Sequence, residues 1–244
     1  MSTLRDTPDN FQDLPGSTRY PMADLGELAV RLGAPSSIDR LGEVIFQDYM
    51  EDGLAPYAAE TFGTGASVTV EDTSTFRGPH AISLNLGTAG FAYADIRRYF
   101  NLRSSGRIGL EVATMFYGNF KYLEYYCRFN HLPHNSYTQV DYWGTNGKLY
   151  IIETGNRWHY LDTISTYHGV LSGYHIIKVV CDFDREEYVR LIFDDHSYDL
   201  TGIPLNDVGS DANETYDIEL YGMSNTGLSR SIRIGQIIIT DNEP

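Results

Sequence analysis

The sequence is poor in cysteine and in positive charge. Its two cysteines, Cys127 and Cys181, are too few for a disulfide scaffold. Both stand in apolar or aromatic strand-like segments, where a free buried thiol is commoner than a bridge. Lys and Arg number 18 against 33 Asp and Glu, which gives a formal net charge of -15. This charge repels nucleic-acid phosphates and anionic membrane surfaces, so neither is an expected partner.

Long apolar runs and common catalytic motifs are also missing. The most apolar segment, residues 232–240, is interrupted by Arg233 and Gln236, so it falls short of the ~18 apolar residues of a membrane helix. No signal-like run occurs at the start, and the chain as written is expected to be soluble and cytoplasmic. Without a Gly-rich phosphate loop, Cys/His zinc spacing, G-x-S-x-G or H-E-x-x-H, nothing indicates a nucleotide-dependent enzyme or a zinc hydrolase.

Two regions differ in pattern along the 244 residues, of which 42% are hydrophobic. Residues 1–21 carry Pro and Gly among polar side chains, which predicts an extended arm. In residues 22–32, Leu25, Leu28, Ala29 and Leu32 recur at helical spacing, which predicts one short amphipathic helix. We therefore divide the chain into an arm and helix over residues 1–43 and one β-domain over residues 44–244.

The β-domain is read from short runs rich in Val, Ile, Tyr, Phe and Thr between Gly, Asn and Asp clusters. The runs predict strands at residues 67–70, 81–86, 108–117, 121–129, 148–154, 158–161, 176–182, 188–193, 197–200, 216–221 and 231–240. Gly118-Asn119 and Gly155-Asn156 predict tight hairpins. Strands far apart in the chain must pair to hide edges and close a core. The expected fold is all-β, a two-sheet antiparallel jelly-roll sandwich with a short N-terminal helix and extended arm.

Several segments resemble known jelly-roll domains. Residues 46–53 (FQDYMEDG) and 72–84 (DTSTFRGPHAISL) look like the opening of carbohydrate-binding and lectin-like domains, and residues 174–205 resemble paired strands of concanavalin A-like, laminin G-like sandwiches. The phrase at residues 37–42 (SIDRLG) is similar to one in an uncharacterised bacterial family of about this length. The resemblance covers residues 22–240 and implies the fold.

The resemblance also implies a structural calcium ion. Many such sandwiches bind Ca²⁺ between the first and last strands, through acidic side chains near the opening turn and an Asp in the last strand. Here Asp48, Glu51 and Asp52 are available, and we take Glu51 and Asp52 as the candidate ligands. The expected Asp of the last strand is replaced by Gly235-Gln236. The alternative for Glu51 and Asp52 is a solvated acidic turn.

Carboxylates suited to sugar cleavage are dispersed in this chain. Retaining β-glucanases of concanavalin A-like fold need two carboxylates about 5 Å apart, in an E-x-D-x-x-E phrase. That phrase is absent, and Glu111, Glu124 and Asp141 occur singly. They can meet only through strand pairing; the alternative for Glu111 and Glu124 is a solvent-facing position.

Aromatic residues concentrate between Phe116 and Tyr160. Alternation in residues 121–129 places Tyr122, Glu124, Tyr126 and Arg128 on one face and an apolar set on the other. Sugars stack their C–H faces on aromatic rings and direct hydroxyls to charged and amide groups. The predicted ligand-binding residues are Tyr122, Glu124, Tyr126, Arg128, Asp141, Tyr142, Trp143 and Trp158. The alternative is that these rings only fill the core and its cross-strand pairs.

Three functions are compatible with these features. The leading hypothesis is a non-catalytic, lectin-like protein that binds carbohydrate on a concave sheet. The second is a glycoside hydrolase or polysaccharide lyase on the same fold. The third is a structural or assembly protein, a homo-oligomer whose arm of residues 1–21 packs on a neighbouring subunit.

Overall fold

The computed structural model describes residues 41–100, 106–117, 120–131, 134–164, 173–207, 215–225 and 230–244. The predicted arm and helix, within residues 1–40, lie outside these ranges. The described residues form sixteen strands and no helix. In chain order the strands are β1 (Glu43–Asp48), β2 (Ala58–Phe62), β3 (Ala66–Glu71), β4 (Ala81–Leu86), β5 (Tyr93–Phe100), β6 (Arg107–Tyr117), β7 (Tyr122–His131), β8 (His134–Trp143), β9 (Lys148–Glu153), β10 (Arg157–Thr163), β11 (His175–Asp182), β12 (Glu187–Phe193), β13 (His196–Asp199), β14 (Asn206–Asp207), β15 (Thr215–Met223) and β16 (Ser231–Asp241).

The strands form two antiparallel sheets of eight. Sheet A has the order β13-β12-β11-β6-β16-β4-β3, with β1 paired to β16. Sheet B has the order β10-β9-β8-β7-β15-β5-β2, with β14 paired to β8. Neighbours such as β6 and β16 are far apart in sequence, which is the long-range pairing expected of a jelly roll. The predicted all-β, two-sheet architecture and all eleven predicted strands are confirmed.

One of the two predicted hairpins is wrong. The turn between β9 and β10 is present, and Gly155 (φ 81°) and Asn156 (φ 57°) adopt the left-handed backbone there, which Gly and Asn tolerate best. By contrast, the strands on either side of residues 118–119 do not pair: β6 belongs to sheet A and β7 to sheet B. β6 and β7 are therefore not the two arms of one hairpin, and residues 118–119 themselves lie outside the described ranges.

The core lies between the sheets and follows the period-two pattern. Ile82, Leu84 and Leu86 of β4 are fully buried on one face, as their alternation predicts. Cys127 of sheet B and Cys181 of sheet A are free and buried in this core, which confirms the thiol prediction. Within the described ranges, no helix has the length and apolar character to cross a membrane.

The central strands of sheet A are buried on both faces. Glu111 of β6 is 1% exposed and accepts a hydrogen bond from Gln236 Nε2 at 2.9 Å. A solvent-facing position for Glu111 is therefore wrong. This carboxylate lies in a different sheet from Glu124 and Asp141, so the three do not form one site.

Candidate functional site

The outer face of sheet B collects most of the predicted ligand-binding residues. In β7, Leu123, Tyr125 and Cys127 point into the core, so the alternate residues point outward. The register pairs Glu124 with Asp141 of β8, and Ile152 of β9 with Trp158 of β10. This face therefore brings together Tyr122, Glu124, Tyr126, Arg128, Asp141, Trp143 and Trp158.

Tyr142 is the exception, and its placement corrects the sequence-based set. Because residues 141, 142 and 143 are consecutive in a strand, the middle side chain must point to the opposite face. Tyr142 is fully buried in the core, its ring 5.1 Å from that of Phe116, and its hydroxyl donates to the Ile164 carbonyl at 3.4 Å. It does not contribute to the outer face.

The two candidate calcium ligands do not assemble a metal site in the described part of the chain. Glu51 and Asp52 are exposed in the turn after β1, and the Glu51 carboxylate accepts the Tyr49 backbone N–H at 3.0 Å. No group of three or more His, Cys, Asp or Glu side chains converges there or elsewhere among the described residues. Since Ca²⁺ takes six to eight oxygen ligands, Glu51 and Asp52 alone do not complete its coordination, and the calcium site stays a prediction.

An aromatic band crosses the whole outer face of sheet B. Each of the seven strands in the path β2-β5-β15-β7-β8-β9-β10 contributes a ring. Neighbouring ring centroids lie 4.9 to 6.3 Å apart. The band consists of Phe62, Tyr93, Tyr221, Tyr122, Trp143, Tyr150, Trp158 and Tyr160. Seven strands at about 4.8 Å spacing span about 29 Å. Phe62 (61% exposed) leaves the β2 end of the band open to solvent, and Trp158 (47%) and Tyr160 (49%) leave the β10 end open.

Carboxylates lie between the rings and form an acidic floor. It consists of Asp95, Asp217, Glu219, Glu124 and Asp141, all less exposed than the aromatic side chains above. Arg97 forms ion pairs with Glu219 and Asp217, and Arg128 also contacts Asp217, at 3.5 Å. The two arginines thus neutralise the Asp217 and Glu219 end of the floor.

Glu124 and Asp141 form the central pair of the floor. They are register partners on adjacent strands, a relation that sets Cβ atoms about 4.5–5.5 Å apart. Burial and the nearby Glu219 raise the pKa of Glu124 to about 7, although a hydrogen bond from the Tyr126 hydroxyl (2.8 Å) opposes the rise. Burial and the Glu124 charge raise the pKa of Asp141 well above its usual range. At neutral pH the pair therefore retains a proton.

Two buried polar atoms of β8 side chains on this face have no hydrogen-bond partner among the described residues. Asp141 Oδ1 accepts from Gln139 Nε2 at 2.9 Å, but Asp141 Oδ2 is buried and unpaired. Trp143 Nε1 is also buried and unpaired. Because buried polar atoms are normally paired, such exceptions call for an explanation.

Sequence reasoning missed the part of the face that β5 and β15 contribute. Asp95, Arg97, Asp217 and Glu219 all point outward beside β7. The alternation D-I-E-L-Y in residues 217–221 carries the signal that was overlooked, since it places two carboxylates and a tyrosine on one face.

Comparisons with known proteins support the fold. No protein-family model matches the sequence, and no curated protein matches it. The chain is similar to the carbohydrate esterase vb_24B_21 from Shiga toxin-encoding bacteriophage phi24B: identity is 12%, the TM-score is 0.53, and 83% of this chain and 100% of the other are covered. It is also similar to a glycoside hydrolase family 16 endo-glucanase from Bacteroides ovatus, with 11% identity, a TM-score of 0.52 and coverage of 80% and 100%.

At these identities the likeness concerns the fold alone. The described residues form a concanavalin A-like jelly-roll sandwich, as the sequence resemblance implies. Kinship with an uncharacterised bacterial family stays a prediction.

Proposed function

We propose that the outer face of sheet B binds carbohydrate without cleaving it. The observation that carries this function is the aromatic band, because a row of rings across a sheet offers successive platforms for the C–H faces of sugars. Glu124 and Arg128 lie on the same face and supply groups that can bond hydroxyls. Two solved structures of similar fold are described as a carbohydrate esterase and an endo-glucanase, which is in keeping with this class of ligand.

Isothermal titration against a panel of neutral and charged oligosaccharides tests the proposal. Trp158→Ala removes a half-exposed ring at the β10 end of the band. It is therefore expected to weaken binding about tenfold and to leave folding intact. Tyr117→Ala is the matched control, since Tyr117 ends β6 on sheet A and packs against Arg233. Absence of binding to every glycan would overturn the proposal.

A glycoside hydrolase is the second candidate, favoured by the Glu124–Asp141 pair. Retaining enzymes hold two carboxyl groups about 5–5.5 Å apart, with one of them kept protonated as the general acid. Register pairing sets the Cβ atoms of Glu124 and Asp141 about 4.5–5.5 Å apart, which brings the two side chains together on one face, and their raised pKa values keep a proton in the pair. Cleavage of a bound oligosaccharide that is lost in Glu124→Gln, with binding retained, would establish this function in place of the first.

A polysaccharide lyase is less compatible with the same residues. A lyase of the Tyr/His type needs a tyrosine that gives up its proton readily. Burial and the adjacent Glu124 carboxylate raise the pKa of Tyr126 above its ordinary value of 10, and its hydroxyl donates to Glu124. Tyr126 is thus held in the protonated form.

A further inference from the structure

We propose that the glycan bound by the outer face of sheet B carries ammonium groups, as in a linear chain of amino sugars. This inference rests on the proposed function and narrows its ligand class. It combines two features of one surface, the aromatic band and the acidic floor.

The first step concerns the charges on the floor. Arg97 and Arg128 are engaged with Asp217 and Glu219. Among the described residues, Asp95, Glu124 and Asp141 form no ion pair within 4 Å. Like-charged carboxylates kept away from solvent cost free energy unless they bind a proton, as the Glu124–Asp141 pair does at neutral pH, or a cation offsets them. The face is therefore complementary to a positively charged ligand and repels an anionic glycan.

The second step concerns how the charge is distributed. Asp95, Glu124 and Asp141 lie in one register row that runs through β5, β15, β7 and β8, with Tyr221 between the first two. No three acidic or histidine side chains of the described residues converge on a metal position. Since neighbouring strands are about 4.8 Å apart, the row suits a ligand whose positive charges are spread along its length.

The third step uses the unpaired oxygen of Asp141, at the β8 end of the row. Asp141 is 0% exposed, and its Oδ2 has no partner among the described residues. The pair retains a proton at neutral pH and so offers one carboxylate charge, and Glu124, which is 9% exposed, is the more accessible of its two members. The Glu124 carboxylate is thus the most favourable position on the floor for a ligand ammonium group.

The last step separates an amino sugar from other cations. A basic peptide or a polyamine would satisfy the carboxylates, but neither has a series of flat C–H faces to stack on eight rings. An amino-sugar chain has both, because its rings stack on aromatic side chains while its ammonium groups reach carboxylates and ring faces.

Titration near pH 7 with three hexasaccharides of glucosamine, N-acetylglucosamine and glucose tests the inference. The glucosamine chain is expected to bind at least about tenfold more tightly than either neutral chain. Added salt should weaken only the binding of the charged chain. Glu124→Gln should remove most of this preference, because it should weaken binding of the charged chain more than binding of the neutral chains, and Asp95→Asn provides a second floor variant should the first not fold. Trp158→Ala should weaken all chains that bind.

The possible outcomes distinguish failure of the amino-sugar inference from failure of the proposed carbohydrate binding. Equal binding of the neutral chains overturns the amino-sugar inference and leaves carbohydrate binding standing. Binding of a hexalysine peptide as tightly as the glucosamine chain also overturns it, since stacking of sugars on the aromatic band would then add nothing to the affinity. If none of the three chains binds and the wider glycan panel is also negative, the proposed function itself fails.

Discussion

Each sheet carries a cluster of buried charged side chains on its outer side, and the two clusters differ in whether the carboxylates are paired with cations. On sheet A, the Glu243 carboxylate is inaccessible and contacts Lys178 Nζ at 2.7 Å and Arg190 Nη2 at 2.5 Å. It also accepts a hydrogen bond from the Thr240 hydroxyl. On sheet B, Glu124 and Asp141 face each other with a tyrosine and a glutamine as neighbours, and with no cation within 4 Å among the described residues.

We infer from this difference that the charges on sheet A are structural, whereas those on sheet B belong to the proposed binding face. A buried carboxylate is tolerated in a fold when its charge is paired and hydrogen-bonded, and Glu243 meets both conditions while it fixes the C-terminal residues to β11 and β12. The Glu124–Asp141 pair meets neither condition fully, and strongly perturbed groups of this kind cluster at functional sites. The two groups therefore predict opposite responses to removal of a carboxylate.

The largest expected effect is loss of stability in Glu243→Ala. This change removes the Glu243 carboxylate from its contacts with Arg190 and with Lys178, which is 0% exposed. Breaking a buried pair in this way costs about 3–5 kcal/mol of unfolding free energy. Urea unfolding followed by tryptophan fluorescence measures the change.

Two variants control for the interpretation of that result. Arg157→Ala breaks an exposed pair with Glu153 at 3.4 Å and should cost less than about 1 kcal/mol. The double variant Lys178→Met with Glu243→Leu removes both charges and should recover part of the loss. If the Glu243→Ala protein is as stable as Arg157→Ala, the ion pairs of Glu243 on sheet A do not stabilise the fold.

The second prediction is a gain of stability in Glu124→Gln that depends on pH. The folded-state pKa of Glu124 is raised to about 7 from 4.5, so the folded protein holds this proton more tightly than the unfolded chain. The contribution of Glu124 to stability is then complete below pH 4.5 and is lost as pH rises through 7. The variant should gain on the wild type over that window by up to about 3 kcal/mol.

Urea unfolding at a series of pH values between 4 and 8 measures this difference. Asp141→Asn should change stability in the same direction, because burial and Glu124 also raise the pKa of Asp141. A stability difference that stays flat with pH, or a variant that is less stable at pH 8, would contradict the contrast between the two sheets.

Part of the candidate site can be predicted from the residue pattern of a single strand. The outward set on β7 was predicted because alternation is a property of one strand, and Leu123, Tyr125 and Cys127 confirm it from the core side. The same rule, applied one residue further in β8, would have excluded Tyr142 from the face.

The missed half of the face depends on pairing between distant segments. Asp95 and Glu219 join Glu124 only because β5, β15 and β7 are neighbours in sheet B, and no local pattern records that order. The wrong hairpin at residues 118–119 has the same origin: a Gly-Asn pair signals a change of direction, but not whether the next strand stays in the sheet or crosses to the other one.

The smallest expected effect comes from Tyr126→Phe, which changes one hydrogen bond and no charge. The Tyr126 hydroxyl donates to Glu124 Oε2 at 2.8 Å and favours the ionised carboxylate. Without this donor, the pKa of Glu124 should rise further, and the protein should lose about 0.5–1.5 kcal/mol at pH 8, where the carboxylate is ionised. Carboxyl carbon chemical shifts of Glu124 followed through a pH titration measure the change.

Tyr137→Phe is the matched control. The ring centroid of Tyr137, on β8, lies 5.9 Å from that of Tyr126, and its hydroxyl accepts a hydrogen bond from Asn206 Nδ2 and contacts no carboxylate among the described residues. An unchanged Glu124 titration in Tyr126→Phe would mean that burial alone sets the protonation of the pair, and that the face has no neutral donor supporting its charge.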